Sequence, residues 1–180
     1  MTQIVMAGGE GYIGREITRQ WLQRDPQAQF YVTSRSDRHE IVDARVRHVQ
    51  VDVNDARAFA EALPAQADYV MALTYGSMDA MKSVRDYAEA LGAKAIGYVN
   101  AIVVAPGFED FIKMKKTELD FLRAGKIRVE DYNLTVAWGA GRNDDIAKMV
   151  KEGAFDTQAP VNVEVVARQI IDQMTQAWRT

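Results

Sequence analysis

A doubly wound α/β fold, with one mainly parallel sheet held between helices, is predicted by three observations. Short β-rich runs alternate along the chain with stretches of helical spacing. The β runs lack strict polar–apolar alternation, the pattern of strands buried on both faces. A cluster of glycines also stands directly between the first β run and the first helical stretch. Strand and helix in strict succession imply right-handed crossovers into a single sheet.

Taken in order, the first strand is expected at Gln3–Ala7. It is followed by a helix carrying Ile13, Ile17 and Trp21, which Asp25-Pro26 ends. Strands are expected next at Gln29–Thr33 and Val46–Val51, then a short helix with Phe59 and Leu63. Asp55 stands where it can cap that helix. A fourth strand, Tyr69–Leu73, precedes a helix with Met81, Val84, Ala88 and Leu91, closed by Gly92. The fifth strand, Ala95–Val99, leads to a helix with Phe111, Met114, Leu119 and Leu122, and a sixth strand is expected at Asn133–Trp138. A last helix carries Val166, Ile170, Met174 and Trp178. Residues 139–162 are the least regular and are expected to form a rim or lid. With 180 residues, one domain over 1–180 is the expectation.

Bulk composition excludes several classes. The chain has no cysteine, which removes disulfides, thiolate metal sites and cysteine nucleophiles. His39 and His48 lack zinc-ligand spacing and sit in polar stretches, so surface roles are expected for both. A net charge of -3 without a basic cluster argues against nucleic acid as a partner. No apolar run approaches the roughly 20 residues that cross a bilayer. The first residues already read as a core strand, which predicts no signal peptide and a cytoplasmic protein.

The loop Ala7-Gly8-Gly9-Glu10-Gly11-Tyr12-Ile13-Gly14 contains two overlapping fingerprints, Gly9-x-Gly11-x-x-Gly14 and Gly8-x-x-Gly11-x-x-Gly14. Strand before and helix after are the context in which such glycines bind a dinucleotide. One glycine makes the tight turn, the next admits a pyrophosphate, and the last lets the helix pack closely. The phosphates then meet N–H groups at the positive helix end, around Gly11, Tyr12, Ile13 and Gly14. A carboxylate at the end of the second strand would hold the ribose hydroxyls of NAD. The chain instead reads Thr33-Ser34-Arg35-Ser36-Asp37-Arg38. Arg35, helped by Ser34 and Arg38, suits a 2′-phosphate, so NADP(H) is the expected cofactor. NAD(H) is the alternative, because a small shift of the strand end brings Asp37 nearer the ribose. Asp52, with Val53 beside it, stands just past the third strand, where an acid accepts a hydrogen bond from the adenine amino group.

With glycine loop, Arg35 and Asp52 in register, the chain resembles the atypical short-chain dehydrogenase/reductases. It is most similar to their NmrA-like and epimerase-like NAD(P)-binding branch. That resemblance implies a Rossmann-like domain with a reduced C-terminal substrate region. Leu73-Thr74-Tyr75-Gly76 resembles the family segment that borders the cofactor. Lys115–Gly125 resembles the helix carrying a lysine, an acid and Leu-x-x-Gly. Trp138–Asp144 and Asn162–Met174 are similar to later segments. Catalytic members carry a tyrosine four residues before the lysine, and a serine after the fifth strand. Here Phe111 takes the tyrosine place, and Asn100 and Ala101 stand where the serine would be. Phenylalanine donates no proton, which disfavours alcohol–ketone chemistry and sugar epimerisation. The chain is also shorter than sugar-nucleotide epimerases.

Two functions are therefore expected as alternatives. One is NADPH-dependent reduction of a flavin, quinone or similar planar acceptor, where the protein mainly stacks two rings. Tyr75, Met78, Trp138 and Phe108 are the groups available for stacking, with core packing the plainer expectation for Met78 and Phe108. Lys115 either contacts the nicotinamide ribose or belongs, with Lys113 and Lys116, to a solvated helix face. Asn100 either bonds the carboxamide or a substrate, or caps its strand. The other function is a non-catalytic NAD(P)-sensing module. Carbonyl reduction with another proton donor stands behind both. A homodimer through the helices over 77–91 and 108–123 is the expected self-association, and a small planar molecule the expected partner.

Overall fold

The computed structural model describes residues 1–103, 106–139, 141–155 and 160–176. Six parallel strands form one sheet: β1 (Gln3–Ala7), β2 (Gln29–Ser34), β3 (Val46–Gln50), β4 (Tyr69–Ala72), β5 (Ala95–Ala101) and β6 (Val129–Leu134). Their order across the sheet is β3-β2-β1-β4-β5-β6. That is the Rossmann order, and its direction reverses between β1 and β4, where a crevice opens at the strands' carboxyl ends.

Both faces of the sheet are covered, which explains the unbroken apolar runs. Ile4 and Met6 of β1 face one side, where α1 (Tyr12–Arg24) and α6 (Val163–Gln176) bring Ile17, Trp21, Val166 and Ile170. Val5 and Ala7 face the other side, against α2 (Ala56–Ala62), α3 (Met78–Leu91) and α4 (Glu109–Arg123). These four of the five β1 side chains are fully buried. Trp21 packs edge-on to Phe30, with ring centroids 6.1 Å apart, and lies 5.5 Å from Tyr69. Full burial of such side chains contributes about 1.5–3 kcal/mol each.

Helix ends follow the expected signals. Asp25 is the C-cap of α1, and the Asp55 carboxylate accepts the Ala58 N–H at 2.9 Å at the start of α2. Gly92 closes α3 in the left-handed region, φ 62°. Trp178 lies outside the described residues, as does Ala140.

Two parts of the sequence reading need correction. The last strand of the sheet begins at Val129, not Asn133, and ends at Leu134. It is an edge strand paired only to β5, so its polar residues Glu130, Asp131 and Asn133 are tolerated and mask it in the sequence. The apolar Ala137–Trp138 forms a separate short strand, β7, paired with β8 (Val161–Asn162). The segment expected as an irregular rim also carries a helix, α5 (Asp145–Lys151), capped by the Asp144 carboxylate. Among the described residues, no helix is long and apolar enough to cross a membrane, and no cluster of acids and histidines could hold a metal.

One unusual backbone conformation and two close approaches shape the glycine loop. Gly8 has φ +76°, a conformation that side chains rarely adopt. A Cβ on Gly9 would lie 2.6 Å from the Met6 Cβ, and one on Gly14 would lie 2.4 Å from the Gly9 carbonyl oxygen. The last glycine thus packs the helix on the loop itself, while Gly9 makes the close contact with the sheet. Gly11 is different, since a Cβ there meets nothing nearer than 3.7 Å. Gly14→Ala should therefore cost about 1–3 kcal/mol of stability in urea unfolding, because backbone must shift to admit the methyl. Gly11→Ala should cost less than Gly14→Ala in the same experiment.

Candidate functional site

Two cavities open at the carboxyl ends of the strands, on either side of the reversal point. The first, about 410 Å³, is polar and runs from the glycine loop to the end of β3. Gly8, Gly11, Ser34, Arg35, Arg38 and Asp52 line it, and Val53 and Thr74 complete the wall. The buried Thr33 hydroxyl accepts the Gly8 N–H at 3.0 Å, so β2 fixes the start of the loop. The positive end of the α1 dipole lies at this loop, and its N-cap, Gly11, has no side chain to fill the space. Asp52 Oδ1 accepts from the backbone N–H and the side-chain amide of Asn54. Arg35 is exposed and makes no ion pair among the described residues, whereas Arg38 pairs with Glu40 at 3.1 Å.

The second cavity, about 450 Å³, is walled by Ile13, Leu73, Tyr75, Phe108, Phe111 and Val136. Tyr75 lines both cavities and so marks their junction. Its ring meets Phe111 edge-on, with centroids 5.6 Å apart, and Phe108 meets Phe111 in the same manner at 6.3 Å. Asn100, at the end of β5, donates from Nδ2 to Asn133 Oδ1 at 2.8 Å, and its own Oδ1 is buried without a partner.

Lys115 reaches this second cavity from α4 and is only 5% exposed. Its ammonium group lies 4.0 Å from the centre of the Tyr98 ring and 3.9 Å from Glu118 Oε2. Glu118 is 1% exposed and is satisfied by two donors. The Gly76 N–H donates to Oε1 at 2.6 Å, and the Tyr98 hydroxyl donates to Oε2 at 2.6 Å. Burial, the hydrogen bond to Glu118 and the charge of Glu118 push the Tyr98 phenol far above its ordinary range. Burial pulls the Lys115 amine down to about 8, and the nearby Glu118 carboxylate only partly opposes this.

Residues 8–133 match the family described as NAD(P)H-binding. The protein belongs to this family. The Rossmann fold is shared with several solved structures. WbmH of Bordetella bronchiseptica, solved with NAD+, superposes with a TM-score of 0.78 at 13% identity, over 97% of this chain and 72% of that one. A putative epimerase from Burkholderia cenocepacia gives 0.75 at 15% identity, over 98% and 72%. A Rossmann-fold NAD(P)-binding family protein from Shigella flexneri gives 0.70 at 17%, over 97% and 86%. No curated protein matches the sequence.

In this NAD(P)H-binding protein most of the singled-out residues converge, but several expectations change. Asp37 is not among the residues lining the polar cavity and instead bonds His39 at 2.7 Å. His48 is not a surface residue. Its side chain is 11% exposed, and Nε2 bonds the Ile41 carbonyl at 2.8 Å. Lys115 is separated from its neighbours, for Lys113 and Lys116 are exposed. Met78 is 40% exposed rather than core, because it opens α3 beside the Gly76 turn. Neither Met78 nor Trp138 lines the aromatic cavity, whereas Tyr75 and Phe108 do. Tyr12 lies under the C-terminal segment, with the Arg142 guanidinium 5.1 Å from its ring. Thr33, Tyr98 and Glu118 were missed as site residues, since each is revealed only by a partner distant in sequence.

The lowered amine of Lys115 has a measurable sign. Below about pH 8 folded and unfolded chains both carry its proton, and the folded chain bears the burial cost. Between about 8 and the unfolded value of 10.5 only the unfolded chain holds that proton, so this group's contribution to stability rises with pH. Relative to the unmodified protein, Lys115→Met should accordingly fare best below about pH 8 and lose ground toward pH 10.5, in addition to the cost of leaving the buried Glu118 carboxylate without its counter-charge. Chemical unfolding of both proteins across that range checks it; a stability difference independent of pH contradicts the burial account.

Proposed function

We propose that this protein is an NADPH-dependent reductase of a planar acceptor, a flavin or a quinone taken as substrate. The observation that carries the reading is the aromatic-walled cavity adjoining, through Tyr75, the polar cavity at the glycine loop. A dinucleotide laid across the strand ends has its phosphates at the loop and its nicotinamide at the aromatic side. A reduced nicotinamide supplies the hydride, and the protein's task is to hold two flat rings in register and keep water out.

Each residue has a part in this reading. Gly8, Gly11 and Gly14, with the backbone of Tyr12 and Ile13, hold the pyrophosphate at the start of α1. Ser34, Arg35 and Arg38 take the 2′-phosphate, while Asp52 and Val53 bound the adenine. Leu73 and Thr74 flank the middle of the dinucleotide. The unpartnered Asn100 Oδ1 accepts from the nicotinamide carboxamide or from the acceptor molecule. Lys115 holds the nicotinamide ribose, and Tyr75 stacks at the junction of the cavities. Phe111 lines the acceptor cavity where the family places its proton-donating tyrosine, which favours acceptors over alcohols and sugar nucleotides.

Steady-state oxidation of NADPH with a panel of flavins and quinones tests the proposal. Turnover above the free-solution rate is expected, reduced by both Lys115→Ala and Tyr75→Ala. Turnover no faster than in free solution sinks the reductase reading and leaves a dinucleotide-sensing module. If turnover survives both substitutions unchanged, the site assignment is wrong.

Cofactor choice is tested by binding alone. NADPH should bind about tenfold to a hundredfold more tightly than NADH, the value of one charged bidentate contact. Arg35→Ala should erase most of that difference. Equal affinities in the unmodified protein remove the 2′-phosphate argument in favour of NAD(H).

A further inference from the structure

The residue just before Gly11 is an acid. Glu10 is 4% exposed, and it lines the same cavity as Arg35 and Arg38. A lone carboxylate there opposes an anionic ligand, so its partners decide what the cavity accepts. One carboxyl oxygen meets Nδ1 of His48, from β3, and the other accepts the Glu40 N–H at 3.3 Å.

The hydrogen count of this contact follows from its geometry. Nε2 of His48 faces the Ile41 carbonyl, which only accepts, so Nε2 carries a ring hydrogen. Nδ1 faces a carboxyl oxygen, so that contact is a hydrogen bond only when a second hydrogen lies between the two atoms. With that hydrogen in place, whichever atom holds it, the pair has no net charge. The remaining charges nearby are arranged around it. Glu40 lies between Arg15 at 2.8 Å and Arg38 at 3.1 Å. His39 stacks on His48 with centroids 4.4 Å apart, and Asp37 holds the His39 ring.

We propose that His48 is a specificity-determining residue for the dinucleotide, because it neutralises Glu10 and so lets the cavity accept the 2′-phosphate of NADP(H). This rests on the NADP(H) reading above. His48 acts through Glu10 and is a positioning residue, not a direct ligand. It also joins β3 to the glycine loop and to the segment that follows Arg35 and Arg38, so the charge role must be separated from a structural one.

Calorimetric titration with NADPH and NADH separates them, using the unmodified protein, His48→Gln, Glu10→Gln and the double variant. His48→Gln should weaken NADPH about tenfold, the scale of one charge acting on another across roughly 10 Å near a surface. NADH should weaken by clearly less than NADPH, since it shares the pyrophosphate but its ribose carries no phosphate. Adding Glu10→Gln should restore NADPH binding, because the unbalanced charge is then gone. Equal losses for both dinucleotides, or no recovery in the double variant, overturn the proposal. Should His48→Gln fail to fold, Glu10→Gln decides alone: the NADPH preference should survive, and its loss overturns the proposal. If the unmodified protein favours NADPH through Arg35 while His48→Gln is silent, only this inference falls. If the unmodified protein shows no preference, the NADP(H) reading falls with it.

Discussion

A carboxylate almost without solvent, that of Glu118, ties together the elements that make the site. It belongs to α4, yet its oxygens are taken by the Gly76 N–H from the turn before α3 and by the Tyr98 hydroxyl from β5. A charge so buried is tolerated only when paired and hydrogen-bonded, so each partner is constrained by the others. Lys115, one turn earlier on α4, supplies the opposite charge over the Tyr98 ring. The Gly76 turn carries Tyr75, so the same carboxylate that anchors the lysine also sets the aromatic junction between the two cavities. Removing Glu118 would leave a buried ammonium without its counter-charge and an unheld turn, a far larger disturbance than its surface area suggests.

The two cavities divide the chemistry by polarity, and the sheet explains why. At the reversal between β1 and β4 the flanking helices diverge, and the strand ends on each side differ in character. On the β2–β3 side Ser34 ends its strand and Arg35 and Asp52 lie just past the strand ends, residues that suit phosphate and ribose. On the β5–β6 side it supplies phenylalanines from α4 and valines from the segments after the strands. A ligand with one polar, charged end and one flat, less polar end is complementary to that division. The family match and the shared fold agree with it.

What could be read in the sequence is what depends on near neighbours. The glycine loop, the Asp55 cap and the Gly92 stop each rest on residues within a few positions, and each stands as expected. The Lys115 environment was half legible: its place on the helix was plain, its burial was not, because Lys113 and Lys116 make the stretch look solvated. His48 looked like a surface residue for a similar reason. Its polar neighbours Arg47 and Gln50 are visible in the sequence, but its partner Glu10 is 38 positions away. Thr33 illustrates the point further. As a residue type it signals only the lack of a ribose carboxylate, whereas the fold uses its hydroxyl to pin Gly8 across 25 positions. The edge strand β6 was misplaced because a one-sided strand needs fewer apolar residues than the buried strands that set the pattern.

Phe111 gains a meaning in three dimensions that its place in the sequence could not give. A lost tyrosine can leave a hole, a polar substitute or a packed surface, and these have different consequences. Here the ring is packed between Tyr75 and Phe108, so the place of the absent hydroxyl has become part of an aromatic wall. Such a wall stabilises a flat, apolar surface and offers it no proton. Lys115 behind it keeps its depressed basicity, since burial rather than a neighbouring phenol on the same helix face sets its value. The pair of features is self-consistent. An aromatic wall without a phenol is consistent with the planar acceptor proposed above and suits a sugar hydroxyl poorly.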